Sequence, residues 1–439
     1  MNHHFRPFFY FFLIILLFGC QEKRPPNIVL IMADDLGYET IGANGGTTYQ
    51  TPNIDLMANQ GIRFEHCYAQ PLCTPSRVQI MTGIYNVRNY VRFGLLDTNQ
   101  TTFGHLFREA GYATCIVGKW QLGKDPVSPH QAGFDQYCLW QVSEGRVDST
   151  GRDTRFSQPV LQTNRELKIY DSHDYGPDIV SQFGIDFMEK AAKDSRPFLL
   201  YYPMILTHCP FSPTPDSPEW LEDDTAVMKY KGHAHYFEDM VSYTDKIVGN
   251  INQKLEELGI AENTIVIFTG DNGTDIPVVS TLNGRKVAGA KGQSTDAGTR
   301  VPLLVQWPGT ISAGMVNQDL VDFSDMLPTM CEIADIPAPG TIDGQSFMPQ
   351  LMGKTGHPRE WIYSWFSRNG ADSLARVFAR NQRYKLYRNG EFYDVPNDYE
   401  EENPLNETEL SPEQKKIHKM LQGVIDQYEG RRLEEIPSE

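Results

Sequence analysis

The chain reads as an α/β protein: a large mixed, mostly parallel sheet sandwiched by helices, with a smaller C-terminal α+β part. Two observations predict it. Asn27-Ile28-Val29-Leu30-Ile31-Met32 and Thr264-Ile265-Val266-Ile267-Phe268-Thr269 are nearly continuous apolar runs, as expected of strands covered on both faces. Residues 197–202 and 113–117 repeat the pattern, and stretches of helical character at 101–110, about 178–193 and about 236–258 lie between the runs.

Each run leads into polar residues. These are Asp34-Asp35-Leu36-Gly37, Gly118-Lys119-Trp120, Thr207-His208-Cys209-Pro210 and Gly270-Asp271-Asn272-Gly273. Ligands of open α/β sheets bind outside the carboxyl ends of the strands. All four clusters fall there, which predicts one shared site. Beyond residue 351 the pattern changes. Residues 384–395 read as a hairpin around Asn389-Gly390, and 411–428 as a helix opened by Ser411-Pro412-Glu413. The expected division is a catalytic domain over 27–351 and a C-terminal subdomain over 352–439.

Of 439 residues, 40% are hydrophobic and 11% aromatic, enough to bury a sizeable core. The net charge of −17, with no basic stripe to offset it, excludes nucleic acid as the principal partner. It does not exclude a small anionic substrate, because diffuse surface charge is screened within roughly 10 Å.

The first residues read as a targeting segment. Arg6 precedes an unbroken apolar run from Phe8 to Phe18, too short to span a bilayer and sized like a signal-peptide core. Leu17-Phe18-Gly19-Cys20 resembles a bacterial lipobox. The expectation is a signal peptide over 1–19, lipid on Cys20, a tether over 20–26, and export to the periplasm or outer membrane on a lipid anchor. An ordinary cleaved signal with an incidental cysteine is the alternative. The six remaining cysteines are widely spaced in a chain that needs no staples, so most are expected to be free.

One of them carries more. In Cys73-Thr74-Pro75-Ser76-Arg77, Pro75 suits a helix start and puts Cys73 just ahead of a helix amino terminus, where backbone N–H groups favour an anion. Asp34 and Asp35 are adjacent carboxylates that need a cation or strong donors. With Asp271 and Asn272 they make an all-oxygen set that favours calcium or magnesium over zinc.

Cys73-x-Pro75-Ser76-Arg77, followed by Thr82-Gly83, resembles the signature of the type I formylglycine-dependent sulfatases, arylsulfatase-like members of the alkaline phosphatase superfamily. Gly118-Lys119-Trp120-Gln121-Leu122-Gly123 resembles a second signature. Gly289-Ala290-Lys291-Gly292, shortly before Gly298-Thr299-Arg300, resembles a third. The resemblance runs from Asn27 to about Tyr399. It implies that a maturation enzyme oxidises Cys73 to formylglycine, whose hydrate attacks sulfur with one hydroxyl and expels sulfate with the other. It implies Ca²⁺ on Asp34, Asp35, Asp271, Asn272 and modified Cys73. Arg77 would orient formylglycine, Lys119 and Lys291 would bind sulfate oxygens, and His208 would protonate or polarise the leaving alcohol oxygen.

Gln121 departs from the family, which commonly has histidine there. An amide can hold a hydroxyl but cannot take its proton. The usual acidic Glu-Gly-Gly-x-Arg becomes Asp296-Ala297-Gly298-Thr299-Arg300, a conservative change. His130, Trp140, His233 and His235 are candidates for the pocket rim. The expected activity is hydrolysis of sulfate from a short or terminal sulfated glycan. A phosphonate or phosphodiester hydrolase of the same superfamily, and a glycan-binding lipoprotein with impaired catalysis, are the alternatives.

Overall fold

The computed structural model describes residues 24–220 and 225–433. The expected signal peptide, Cys20 and the first part of the tether lie outside the described residues. Among the described residues, no helix is long and apolar enough to cross a membrane.

The strands are, in chain order, β1 (Asn27–Ala33), β2 (Ile62–Tyr68), β3 (Ala113–Lys119), β4 (Gln136–Trp140), β5 (Val160–Thr163), β6 (Glu166–Ile169), β7 (Phe198–Pro203), β8 (Thr264–Gly270), β9 (Val279–Leu282), β10 (Arg285–Ala288), β11 (Arg300–Val301), β12 (Leu303–Gln306), β13 (Met315–Asp322), β14 (Ile362–Phe366), β15 (Arg376–Arg380), β16 (Tyr384–Tyr387) and β17 (Phe392–Asp394). The main sheet runs β11-β2-β12-β8-β1-β7-β3-β4-β5-β6, with β13 on β2. It is mixed: β8, β1, β7, β3 and β4 form a parallel centre, flanked by antiparallel pairs at β12 and β5. The four strands expected from the sequence belong to that centre.

Side-chain alternation explains why these runs are apolar throughout. Ile28, Leu30 and Met32 face one core with Val78, Phe103 and Met326. Val29, Ile31 and Ala33 face a second core with Val180, Phe187 and Ile247. Helices Cys73–Thr82, Phe103–Glu109 and Met326–Ile333 cover the first face; Gly176–Lys193 and Phe237–Glu257 cover the second. The helix expected over 101–110 is shorter because Thr102 is its N-cap, closing a capping box with His105. All six described cysteines are free and buried.

The C-terminal part is a four-stranded antiparallel sheet, β14-β15-β16-β17, packed with the helix Pro412–Tyr428. The Asn389-Gly390 turn joins β16 to β17, with Gly390 at φ 93°, where a side chain would be strained. This sheet is tied to the main domain through buried Asp296, which pairs with Arg380 of β15 and lies 3.7 Å from Lys385 of β16. Burial raises the Asp296 carboxyl, but the Arg380 and Lys385 charges outweigh that and hold it at about 2. Asp296→Ala leaves Arg380 without its carboxylate, a loss on the order of 3–5 kcal/mol for a broken buried pair. Because the folded value lies below the ordinary 3.8, this contribution is fully present above about pH 4 and is lost as pH falls toward 2. Urea unfolding of wild type and Asp296→Ala at pH 7 and pH 3 checks both statements; a difference under about 1 kcal/mol at pH 7 contradicts the assignment.

Candidate functional site

Parallel pairing of β1 with β8 in register Ala33↔Gly270 brings Asp34 and Asp35 beside Asp271 and Asn272. The Asp35 N–H donates to Asp271 Oδ1 at 3.0 Å, which locks the two loops together. Lys119 ends β3, one pair of strands away. Gly118, at φ 110°, is required there: a Cβ would run into the Pro203 carbonyl of β7. Cys73 is the first residue of its helix, with Leu72 as N-cap, so it lies one position further in than the sequence implied.

Three buried carboxylates meet three cations. Lys119 Nζ lies 2.7 Å from Asp34 Oδ2, Lys291 Nζ 2.6 Å from Asp35 Oδ2, and Arg77 Nη2 3.1 Å from Asp271 Oδ2. Arg77 also donates to the Lys119 carbonyl at 2.7 Å, so the helix that carries Cys73 and β3 are held as one unit. Burial raises Asp34, but Lys119, Arg77 and Lys291 overcome it and keep the carboxylate ionised. Burial and the nearby Asp34 push Asp271 up to about 7, despite Arg77. Burial works against the Lys291 ammonium, but Asp35 at its side holds it charged.

The donor set fits a hard cation. Asp34 Oδ1 and Asn272 Oδ1 are buried and have no hydrogen-bond partner, an expensive state for polar oxygens. Oxygens of Asp34 and Asp271 cluster with Cys73 Sγ, each within 4.8 Å of the others, and Asp34 and Asp35 cluster likewise with His208. Acceptor-only oxygens without donors are what an oxygen-loving divalent ion requires.

The Cys73 thiol donates to Gln121 Oε1 at 3.0 Å. Gln121 therefore touches the residue at the centre of the site, from a left-handed backbone at φ 51°. Burial raises the Cys73 thiol, a tendency that Lys119 and Lys291 oppose. His208 follows β7, with Nε2 at 3.7 Å from Asp35 Oδ2. Its Nδ1 faces Arg155 Nη1 at 2.7 Å and the Cys209 carbonyl at 2.5 Å. These two contacts favour opposite tautomers. The guanidinium is a full charge that can only donate, so it outweighs the carbonyl dipole and makes Nδ1 the acceptor. Burial, followed by Lys291, Arg155 and Lys119, lowers His208 well below the usual imidazole range. The ring is thus neutral, with its proton on Nε2 facing the site.

A pocket of about 270 Å³ opens over these residues, lined by Cys73, Lys119, Gln121, His208 and Lys291. Trp140 lines it as expected; His130, His233 and His235 lie elsewhere. Among the wall residues that the sequence did not disclose are Arg155, Arg146, Tyr230, Phe93 and Arg368. Arg155 is fully buried, held by Asp153 at 2.9 Å and stacked on Trp140 with 4.2 Å to the ring centroid. It lies in an irregular segment with no motif, and only the fold brings it to His208.

Comparison with known proteins agrees with this arrangement. Residues 26–336 match the family model described as Sulfatase, and 291–429 match the model for the N-sulphoglucosamine sulphohydrolase C-terminal region. The chain is 32% identical to arylsulfatase A of Homo sapiens over 400 residues, covering 84% of this chain and 76% of that protein. It is 30% identical to N-acetylgalactosamine-6-sulfatase of Canis lupus familiaris over 75% of this chain and 66% of the relative. The crystal structure of Ps i-CgsB superposes with a TM-score of 0.77 at 25% identity, covering 94% of each chain. With a family match over well more than half its length, the chain belongs to the sulfatase family and is a sulfuric ester hydrolase.

Proposed function

We propose that this chain removes sulfate from a carbohydrate, using formylglycine made from Cys73 by a maturation enzyme, with one calcium ion held by Asp34, Asp35, Asp271 and Asn272. The observation that carries this reading is the convergence of Cys73, three buried carboxylates, three cations and His208 on one pocket. Support for a carbohydrate comes from the relatives: one is named N-acetylgalactosamine-6-sulfatase, and Ps i-CgsB has also been solved with k-i-k-neocarrahexaose. At about 270 Å³ the pocket falls just below the roughly 300–1,000 Å³ of drug-sized sites, so it suits one sugar unit better than a long chain. We extend the reading to export, with lipid on Cys20.

Cys73 Sγ stands where the formylglycine oxygens would be attached to Cβ. When present, the modified residue supplies the nucleophile and the cation polarises the sulfate. The remaining work falls to ordinary side chains. Lys119 and Lys291 are aimed at the charge of a sulfuryl group, in a buried setting that strengthens their field. His208, neutral and protonated on Nε2, donates that N–H as a hydrogen bond to the departing alcohol oxygen and so polarises it as negative charge develops there. Asp153 and Arg155 keep it in that tautomer.

Gln121 holds a hydroxyl without accepting its proton, and a positioned base is typically worth about 10²–10⁴-fold. In single-turnover kinetics alcohol release therefore outruns sulfate release, and Gln121→His raises the steady-state rate. Simultaneous release of both products, with Gln121→Ala as active as wild type, contradicts a role in sulfate departure. The reading as a whole is tested by a desulfation screen over defined sulfated sugars, run beside matched phosphate and phosphonate esters. Sulfate release from at least one sugar, faster than any phosphorus ester, is expected; preferential phosphorus-ester hydrolysis overturns it.

A further inference from the structure

Two guanidinium groups on the pocket wall have no part in the chemistry above. Arg368 sits on the turn after β14, and its carbonyl accepts from Tyr90 Oη at 2.8 Å and from the Phe93 N–H at 3.1 Å, which fixes its backbone. Its guanidinium lies 5.1 Å from the Phe93 ring centroid, and among the described residues no carboxylate lies within ion-pair distance of it. Arg146 lies on the loop after β4, 4.4 Å from the ring centroid of half-exposed Tyr230. The one carboxylate among the described residues within ion-pair distance of it, Asp153 at 3.7 Å, is already engaged by Arg155 at 2.9 Å.

Every other cation of the pocket has a close carboxylate, so Arg146 and Arg368 leave the mouth with an excess of positive charge. The chain as a whole carries −17, so this excess is local and runs against the general surface. Arginine presents a planar fork that matches carboxylate and sulfate oxygens, and aromatic neighbours pre-orient it. Phe93 and Tyr230 also offer flat apolar surface to a sugar ring.

We propose that Arg146 and Arg368 form a subsite for a second anionic group of the glycan, a sulfate or a carboxylate, next to the ester being cleaved. This rests on the carbohydrate reading above. A charge-assisted bidentate contact corresponds to about 10–100-fold in kcat/KM.

The experiment compares four probes with the full chain: p-nitrophenyl sulfate, a monosulfated neutral sugar, a disulfated sugar, and a sulfated sugar linked to a uronic acid. Wild type is expected to favour one or both doubly anionic sugars over the monosulfated one by about tenfold or more, and whichever is favoured identifies the second group as sulfate or carboxylate. In Arg146→Gln and Arg368→Gln the preference ratio falls toward one, while Arg146→Lys and Arg368→Lys retain part of it by keeping charge without the fork. A wild-type ratio near one, or variants that lose the same factor on all four probes, overturns the subsite and leaves the carbohydrate reading standing. Hydrolysis of p-nitrophenyl sulfate with no activity on any sugar overturns both.

Discussion

Cys73→Ala is expected to fold normally and to turn over sulfate esters on the order of 10⁶-fold more slowly than wild type, the scale of losing a covalent nucleophile. Fold and activity separate here because the side chain contributes little to packing. Cys73 is buried, yet among the described residues its thiol makes a single hydrogen bond, to Gln121 at 3.0 Å. Losing a single neutral hydrogen bond costs about 1 kcal/mol. The carboxylate–cation pairs at Asp34, Asp35 and Asp271 do not involve Cys73 and remain. Thermal unfolding within a few degrees of wild type, together with turnover at background, is the expected outcome. Residual activity within about 100-fold of wild type would place the nucleophile elsewhere.

Asp35→Ala carries the second largest effect. Asp35 receives Lys291 Nζ at 2.6 Å on one oxygen and the Asn272 amide at 2.8 Å on the other, so its loss frees both groups. The variant is expected to lose bound calcium and to fall by about 10³-fold or more in kcat, since a metal's charge stabilisation amounts to several kcal/mol. Calcium added to metal-stripped wild type should raise its Tm through binding to the folded state alone, and Asp35→Ala should erase that rise. Elemental analysis showing stoichiometric zinc, or no metal, in fully active protein would refute the calcium assignment.

What could be read in the sequence was whatever depends on local pattern. The runs at β1 and β8 are apolar on both faces, so the strands and the acidic pairs at their ends, Asp34-Asp35 and Asp271-Asn272, announce themselves together. Lys119 and His208 were found in the same way, at the ends of β3 and β7. The antiparallel flanks left weaker traces: β6 is exposed at every position and β11 has only two residues. In the C-terminal sheet the Asn389-Gly390 turn exposed β16 and β17; β14 and β15 are joined through a longer loop, 367–375, so that its Asn369-Gly370 pair does not mark a tight hairpin. Arg155 could not be foreseen, because its partner His208 is 53 positions away in sequence and its segment has no periodicity. Asp296 looked like a conservative change in a motif. Its partners Arg380 and Lys385 reveal that the carboxylate joins the two parts of the chain.

The central claim is that Cys73 becomes the nucleophile by conversion to formylglycine, and peptide mass spectrometry of the Cys73 peptide tests it most directly. Protein co-expressed with a maturation enzyme should show the aldehyde or its hydrate at this position, in a proportion that tracks specific sulfatase activity between preparations. A fully active preparation with only the unmodified thiol at Cys73 would contradict the account.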